Sequence, residues 1–399
     1  MRRAVITGAG VLCSTGKNLE HYWNSLSEGI CGIGEITLFD TSGFRGKPGA
    51  EVRDEYINDD LQKEKRLSRC DMLGLSALDE AVKSSGLDLH SLSPGRIATV
   101  MGGGSGGLLS GEMFRKAIAN GKKASPSLLV PFSSSSFTDL AASRCNSRGF
   151  RTTVSTACSS SSTAIGIAMD LIIDDMADVV ITGGSESLSE TTFAGFNSLR
   201  LVDEVPCRPF DKERKGISLG EGAAIFIIEE AQAAARRGAR IIGEIAGYGI
   251  TGDANHVTAP DPEGSGMAYA VELAIENAGI STGDIDYINA HGTGTHANDL
   301  AEVLAIKSMF GNSAYTIPIS STKSMIGHCL GAAGSLEASA SLLPLVRGII
   351  PPTANYKNRD PECNLNIVSR AFKSSVKTVL SLSLAFGGNN TALILRRYN

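Results

Sequence analysis

Short apolar runs alternate with helix-like stretches along the whole chain, and this alternation limits the possible folds more than any other feature. The β-branched runs that predict strands are residues 4–7, 97–101, 179–182, 224–228, 241–245, 285–289, 317–320, 379–384 and 392–395. The stretches with helical periodicity are residues 71–84, 159–174, 267–278, 300–310 and 334–346. Because the strands are apolar on both faces, the pattern predicts an α/β fold whose sheets are covered by helices on both sides.

Two segments of the chain open in a similar way. Residues 4–8 form an apolar strand that runs into a glycine, and residues 241–247 begin a second α/β stretch of the same character. An Ala- and Arg-rich helix near residues 231–237 lies between the two stretches. This echo predicts two halves of similar topology, residues 1–238 and residues 239–399.

Charge and cysteine content narrow the class of protein. The 37 basic and 42 acidic residues give a net charge of −5, which provides no general attraction for nucleic acid or for an anionic membrane. No apolar run approaches the ~20 residues of a membrane helix, and Gly8 and Gly10 interrupt the signal-like apolar stretch at the start. The eight cysteines form no CxxC pair, so we expect reduced thiols in a cytoplasmic protein without membrane insertion.

Cys158 lies where a strand at residues 152–155 meets a helix made of small residues. At a helix N-terminus the unsatisfied N–H groups and the dipole favour a thiolate, and the same N–H groups can hold an oxyanion. A buried thiol that packs as a small apolar group is an equally good interpretation of this segment. The segment alone leaves both interpretations open.

Two of the six histidines lie at strand-to-helix transitions, where α/β folds place catalytic groups. His291 follows the strand at residues 285–289 and opens the glycine turn 292–295, which brings the backbone close to a ligand. His328 stands just ahead of another predicted helix. Together with a cysteine at a helix N-terminus, the two histidines indicate a catalytic set.

The same histidines raise the question of a metal site. His291 and His296 do not have the HExxH spacing, and no cysteine or carboxylate stands at a matching ligand position. Asp299 is better interpreted as part of the cap of the following helix. The sequence therefore predicts no metal.

At these residues the chain resembles the β-ketoacyl-acyl-carrier-protein synthases, the elongating condensing enzymes of the thiolase superfamily. The resemblance runs from end to end and includes residues 3–8, 156–160, 208–214, 220–223, 289–295, 321–328 and 386–390. It implies a thiolase-like fold, with two similar α/β halves in a layered αβαβα arrangement. The second histidine distinguishes the chain from the initiating condensing enzymes of the superfamily, which have an asparagine there.

The resemblance assigns the catalytic set to Cys158, His291 and His328, with support from Lys323 and Glu337. It implies that Cys158, as a thiolate, takes an acyl group from a carrier-protein thioester. A malonyl thioester then loses CO₂, and the two neutral histidines stabilise the resulting enolate, which attacks the acyl group. Cys158 thus belongs to the first half of the chain, and both histidines belong to the second.

The resemblance also implies roles around this set. The backbone N–H groups of Cys158 and Phe386 hold the oxyanion, and Phe386 in its Gly-rich loop gates the acyl pocket. The hydroxyls of Thr293 and Thr295 bind the phosphopantetheine arm. Ser105 stands in the acyl pocket where relatives often have a bulkier aliphatic residue. No cofactor is expected on the protein itself, because the phosphopantetheine arrives on the carrier-protein substrate.

The expected partner is an acidic acyl carrier protein, bound in its acyl and malonyl forms. Lys63, Lys65, Arg66 and Arg69 form a basic run that could attract it. Further basic residues stand at the family's docking positions, namely Lys122, Lys123 and Arg208. A merely solvated helix face remains an alternative for residues 63–69. The family also implies a homodimer, with a heterodimer containing a chain-length-factor-like subunit as the second possibility.

Some features depart from the family pattern and keep alternatives open. Residues 102–107 match GxGxxG, which is also found in nicotinamide-dependent oxidoreductases, although no ribose-binding acidic residue follows at the right distance. The small side chain of Ser105 and the serine-rich segment 132–137 differ from ordinary fatty-acid elongation enzymes. These two features therefore keep a second possibility for the function open. That possibility is a specialised type II polyketide or polyene ketosynthase that works with a partner subunit. A binding scaffold without turnover is a third, non-enzymatic possibility.

Overall fold

The computed structural model describes residues 2–398, so Met1 and Asn399, the outermost residues of the two predicted halves, lie outside the described residues. The strands are β1 (Ala4–Cys13), β2 (Gly49–Ala50), β3 (Ile97–Gly102), β4 (Arg151–Val154), β5 (Val179–Glu186), β6 (Leu219–Gly220), β7 (Gly222–Glu230), β8 (Gly243–Gly252), β9 (Tyr287–Asn289), β10 (Ile319–Ser320), β11 (Ile349–Ile350), β12 (Phe372–Lys373), β13 (Thr378–Leu384) and β14 (Asn389–Arg396). The helices are α1 (Leu19–Glu28), α2 (Asp59–Gln62), α3 (Arg69–Ser85), α4 (Leu108–Ala119), α5 (Ser136–Arg144), α6 (Ser160–Ile173), α7 (Glu190–Ser198), α8 (Ala231–Arg236), α9 (Ser265–Ala278), α10 (His296–Phe310), α11 (Lys323–Ile326) and α12 (Ala333–Arg347).

The main sheet has the same strand pairing on both sides of its centre. Within residues 2–398 it contains ten strands in the order β10-β9-β13-β14-β8-β1-β7-β5-β3-β4. In the first half, β4, β3 and β5 are parallel, and β7 and β1 continue antiparallel. In the second half, β10, β9 and β13 are parallel, and β14 and β8 continue antiparallel. The pairing of β1 with β8 joins the two halves.

Helices cover the outer face of each half of the sheet and also fill the space between the two halves. Helices α6 and α12 are almost entirely buried and pack against each other between the two halves. Helix α3 covers the outer face of the first half, and helices α9 and α10 cover that of the second. The layers follow the order α-β-α-β-α, so the predicted fold class is confirmed. Among residues 2–398, no helix is both long and apolar enough to span a bilayer.

Several predicted boundaries differ from the structure, and two of these differences lie next to His291. The strand expected at residues 285–289 begins only at Tyr287, because residues Thr282–Asp284 form a 3₁₀ turn ahead of it. The helix expected at residues 300–310 begins at His296. The prediction started too late because the first turn is polar and carries no apolar periodicity. Asp299 in that turn accepts hydrogen bonds from the N–H groups of Thr293 and Gly294 in the loop before the helix, so its interpretation as a helix-capping residue was wrong.

The carboxyl ends of the parallel strands bring the predicted site together. Cys158 follows β4, His291 follows β9, Lys323 and His328 follow β10, and Phe386 follows β13. Helix α6 follows β4 and helix α12 follows β10, and the two helices pack against each other in the central layer. The pairing thus places the start of α6 close to the residues just before α12.

Candidate active site

Cys158 lies in a tight turn that leads directly into helix α6. Residues Ala157–Ser159 form a 3₁₀ turn, and Ala157 has a left-handed φ of 51°, which is costly for a residue with a Cβ. The Ser160 hydroxyl holds this turn, since it accepts a hydrogen bond of 2.9 Å from the Thr156 N–H and donates one of 2.6 Å to the Ala157 carbonyl. The cysteine is therefore held at the leading edge of the helix.

The protonation state of Cys158 corrects the expectation from sequence. The side chain is only 6% exposed, and burial raises its pKa to about 11. The charge of Lys323 and a hydrogen bond from the Phe386 N–H oppose this shift, while the carboxylates of Glu337 and Glu186 add to it. Burial therefore outweighs the helix N-terminus, and the predicted lowering of the Cys158 pKa was wrong. The Phe386 N–H reaches the sulfur itself, and its role as an oxyanion donor stays a prediction.

Lys323 connects His291 to Glu337 in the buried interior. Its ammonium is in contact with a Glu337 oxygen, lies 3.0 Å from Nδ1 of His291, and donates a 2.7 Å hydrogen bond to the His291 carbonyl. An ammonium has three N–H donors and no acceptor, so Nδ1 of His291 accepts and Nε2 carries the proton. Burial raises the pKa of Glu337 to about 7, and the Lys323 charge opposes this shift.

His328 adopts the same tautomer by a different contact. Its Nδ1 accepts a 3.1 Å hydrogen bond from the Leu330 N–H, which leaves the proton on Nε2. The His328 and His291 rings meet edge to face with their centroids 5.2 Å apart. Burial holds the pKa of both imidazoles well below 6.5, and the Lys323 charge lowers it further. Two neutral N–H donors therefore stand side by side.

Two buried carboxylates, Glu302 and Asp299, hold the glycine turn after β9. Sequence reasoning missed Glu302 and assigned Asp299 only to a helix cap. The oxygens of Glu302 accept the N–H groups of His291 at 2.6 Å and Gly292 at 2.8 Å. Asp299 holds the next part of the turn and lies 3.5 Å from the Arg214 guanidinium. A signal for both was present, because acidic residues on the buried face of a helix are rare unless they have such donors.

We expect the Glu302→Gln variant to lose part of the pH dependence of stability. Burial raises the pKa of Glu302 to about 8 from 4.5, so the folded protein binds more protons than the unfolded chain between these values. The free energy of unfolding should therefore fall as the pH rises from about 5 to about 8. The variant removes this contribution and leaves one N–H without a partner, which costs about 1–3 kcal/mol.

Urea unfolding of both proteins at several pH values tests this expectation. The dependence of the free energy of unfolding on pH that remains in the Glu302→Gln variant should come from other buried carboxyl groups, including Glu337. Glu276→Gln on the exposed face of α9 is the matched control, and its slope should equal that of the unmodified protein. An unchanged slope in Glu302→Gln would show that Glu302 does not titrate in this range.

Cys158, His291 and His328 open on one cavity of about 430 Å³. Thr293, Thr295 and Phe386 also line it, and the two threonine hydroxyls lie 3.0 Å apart. The Phe386 ring stacks on Phe196, with centroids 5.3 Å apart, and Gly387 and Gly388 follow it with φ values of 80° and 73°. Phe196, which the sequence analysis missed, therefore supports the side chain predicted to be the gate.

Other predicted residues lie outside this cavity. Ser105 does not line it; its hydroxyl and N–H bind the buried Glu186 instead. Arg69 is buried in an ion pair with Glu221 at 2.7 Å and also contacts Asp54, so its assignment to an exposed docking surface was wrong. Lys63, Lys65, Arg66, Lys122 and Lys123 are exposed, and Arg208 is half-buried beside Gly294.

The glycine loop after β3 is not free to bind a dinucleotide phosphate. The Gly104 and Ser105 N–H groups, which could bind a phosphate, are bound to the Glu186 carboxylate. A Cβ on Gly102 would lie 2.3 Å from the Ser161 nitrogen, so this glycine permits the close packing of β3 on α6. In residues 2–398 no group of three metal-ligating side chains is found.

Comparison with known proteins gives one family. The description "Beta-ketoacyl synthase, N-terminal domain" matches residues 1–234, and "Beta-ketoacyl synthase, C-terminal domain" matches residues 242–357. The 3-oxoacyl-(acyl-carrier-protein) synthase 2 of Synechocystis sp. is 38% identical over 411 aligned positions, which cover 100% of this chain and 98% of that protein.

Two solved structures have closely similar folds. The ishigamide ketosynthase/chain length factor is 35% identical, with a TM-score of 0.94 and 100% of each chain covered. A type II polyketide ketosynthase, solved with its acyl-carrier protein and bound to the hexaketide, is 30% identical, with a TM-score of 0.91 and 100% of each chain covered.

Proposed function

This chain belongs to the β-ketoacyl synthase family, and we propose that it joins an acyl group on Cys158 to the two-carbon unit of a malonyl-acyl carrier protein. It is an acyltransferase that forms carbon–carbon bonds. The observation that carries the assignment of roles is geometric. One thiol and two neutral imidazoles, each with its proton on Nε2, face the same cavity.

In the first half-reaction, the Cys158 sulfur attacks the acyl thioester carbonyl. The N–H groups of Cys158 and Phe386 are the donors for the negative oxygen of the tetrahedral intermediate. The bond to the pantetheine sulfur breaks, and that sulfur receives the proton that Cys158 loses, which leaves a neutral acyl thioester on the enzyme. Because burial raises the pKa of the thiol, we expect this proton to leave as the sulfur attacks.

In the second half-reaction, the malonyl thioester loses CO₂ and the electron pair of the broken carbon–carbon bond forms an enolate. The Nε2–H groups of His291 and His328 donate to the enolate oxygen, which lowers the barrier to its formation. The enolate carbon attacks the acyl carbonyl, the carbon–sulfur bond breaks, and Cys158 takes up a proton. Lys323, fixed by Glu337, acts as a positioning residue for His291.

The remaining site residues serve binding in this proposal. Thr293 and Thr295 line the cavity and can bind the amides of the phosphopantetheine arm. Phe386 would move away from Phe196 to admit the acyl chain, since the two glycines after it permit backbone rotation. Ser105 would contact the far end of a long acyl chain, although it lies outside the cavity of the closed enzyme. The division of the chain at residue 238 remains a prediction.

The acyl carrier protein would dock on the exposed basic side chains, without Arg69. Lys63→Glu, Lys65→Glu and Arg66→Glu together should raise the KM for the carrier protein about tenfold and leave kcat within twofold, because steering acts on encounter. Steady-state kinetics at low and high salt measure this effect, which salt should reduce. Lys373→Glu on β12 is the control. An unchanged KM would favour the solvated-face alternative for this segment.

A specialised type II polyketide-like pathway is the second candidate function. The similarity to the ishigamide ketosynthase/chain length factor supports it, as does the small Ser105 side chain. In that case the chain would pair with a partner subunit and not with a second copy of itself. Eight free cysteines support a cytoplasmic location, and we propose that no cofactor is bound apart from the arm of the carrier protein.

One mixing experiment separates these functions. Protein, acyl carrier protein in its acyl form and malonyl carrier protein are combined, and CO₂ release and the extended thioester are measured. Product from this chain alone supports the homodimeric condensing enzyme, whereas product only after addition of a second subunit supports the polyketide pairing. No product under either condition, or a nicotinamide-dependent absorbance change, would contradict the proposed function.

A further inference from the structure

Glu186 is a fully buried carboxylate at the carboxyl end of β5 that the reaction described above does not use. No ion pair joins it to a basic side chain of residues 2–398. Its oxygens instead accept the N–H groups of Gly104 at 3.1 Å, Ser105 at 2.9 Å and Gly331 at 3.1 Å, together with the Ser105 hydroxyl. Four donors occupy the lone-pair positions of the two oxygens, so the carboxylate is held in one orientation.

One oxygen of Glu186 joins two separate loops. Oε2 accepts the N–H groups of both Gly104, after β3, and Gly331, before α12. A Cβ on Gly104 would lie 2.5 Å from this oxygen, and a Cβ on Gly331 would lie 2.7 Å from it. A Cβ at either position would therefore displace the carboxylate, and one on Gly331 would also lie 2.7 Å from the backbone nitrogen of Gly104. The loop after β3 and the loop after His328 are fixed to the same atom.

The Gly331 contact lies next to the residue that sets the tautomer of His328. Leu330 has a left-handed φ of 46°, a strained conformation for a residue with a Cβ. Its N–H donates the 3.1 Å hydrogen bond to Nδ1 of His328. Strain of this kind persists only where neighbouring contacts enforce it, and the bond from the next N–H to Glu186 is such a contact.

We propose that Glu186 is a positioning residue for His328. By holding the Gly331 N–H it keeps Leu330 in its strained conformation, so that the Leu330 N–H occupies Nδ1 and the proton stays on Nε2, where it faces the enolate. Its bonds to Gly104 and Ser105 connect the loop after β3 to the same histidine. This role rests on the proposed condensing function, and it adds a residue that acts through His328 without touching substrate.

The Glu186→Gln variant tests the role, because it keeps the size of the side chain but turns an NH₂ toward donors. The tautomer of His328 is measured first, by ¹⁵N NMR of histidine-labelled protein, which contains six histidines. His328→Asn identifies the signal. We expect a single Nε2–H tautomer in the unmodified protein and a mixture of tautomers in Glu186→Gln.

The half-reactions are measured next. Decarboxylation of malonyl carrier protein should fall about ten- to a hundredfold in kcat, less than the ~10²–10³-fold loss expected when a donor is removed outright. The KM should stay within twofold, and acyl transfer to Cys158 should stay within threefold. Glu186→Asp keeps the charge on a shorter side chain, and it should restore part of the decarboxylation rate.

Glu112→Gln is the matched control. Glu112 on α4 is also buried and accepts only backbone N–H groups, those of Glu190 and Thr191, but it does not contact the His328 loop. It should leave both the tautomer and the half-reactions unchanged. If Glu186→Gln fails to fold, the spectrum is recorded for Glu186→Asp, whose shorter side chain should give a mixture of tautomers and only part of the decarboxylation rate. A single Nε2–H tautomer and the full decarboxylation rate in Glu186→Asp would refute the role.

The failure of this inference is distinct from failure of the proposed function. Unmodified protein that releases no CO₂ refutes the function, whereas the NMR comparison needs no substrate and still decides whether Glu186 positions His328. An unchanged His328 spectrum in folded Glu186→Gln would overturn the inference. A parallel loss of acyl transfer and decarboxylation would also overturn it, because Glu186 would then act on the whole site.

Discussion

Replacing Cys158 with alanine should abolish formation of the acyl-enzyme and reduce condensation on the order of 10⁴-fold or more, because no other group can carry the acyl chain. The variant should remain folded, since the thiol is neutral and alanine fits the turn that leads into α6. Release of CO₂ from malonyl carrier protein should persist, because both histidines and their tautomers are untouched. Mass spectrometry of intact protein after incubation with acyl carrier protein measures the acyl group, and a carbonate assay measures CO₂.

The control for this variant is Cys145→Ala, which removes a buried free thiol at the end of α5. It should be acylated as fully as the unmodified protein. An acyl group on any other cysteine of the Cys158→Ala variant would contradict the assignment of the nucleophile. Loss of CO₂ release together with acylation would show that the substitution damages the whole site.

The positions of the proposed catalytic residues could be predicted from the sequence because they depend on local order. Cys158, His291 and His328 each stand between a short apolar run and a helical stretch, and parallel strands bring such junctions to one edge of a sheet. Their tautomers could not be predicted. Lys323 and Leu330 set them through contacts at close range, one of them a strained backbone N–H.

The errors have physical causes of the same kind. Arg69 was grouped with residues 63–66 because it continues a basic run, but Ser68 caps helix α3 and places Arg69 in its buried first turn, facing Glu221. The direction of the Cys158 pKa was wrong because the helix N-terminus was considered without the burial of the sulfur. Glu186, Glu302 and Phe196 were missed because their partners are distant in sequence or are backbone groups.

Replacing either of the two proposed catalytic histidines with alanine should give the opposite pattern to Cys158→Ala. We expect His328→Ala and His291→Ala to lower decarboxylation and condensation about 10²–10³-fold, since each removes one N–H donor to the enolate oxygen. Acyl transfer to Cys158 should continue, because its oxyanion donors are backbone N–H groups. In the unmodified enzyme, decarboxylation should not decline from about pH 8 to pH 6.5, since burial keeps both imidazoles neutral there.

The two variants should differ in stability, and this difference tests the assigned contacts. His291→Ala takes an acceptor from the buried Lys323 ammonium and should lower the free energy of unfolding by about 1–3 kcal/mol more than His328→Ala, which frees only the Leu330 N–H, a neutral donor. His90→Ala, in an exposed turn, is the control for both measurements. If acyl transfer fell as far as decarboxylation in both variants, the histidines would be needed to activate Cys158, and the division of labour between thiol and imidazoles would be wrong.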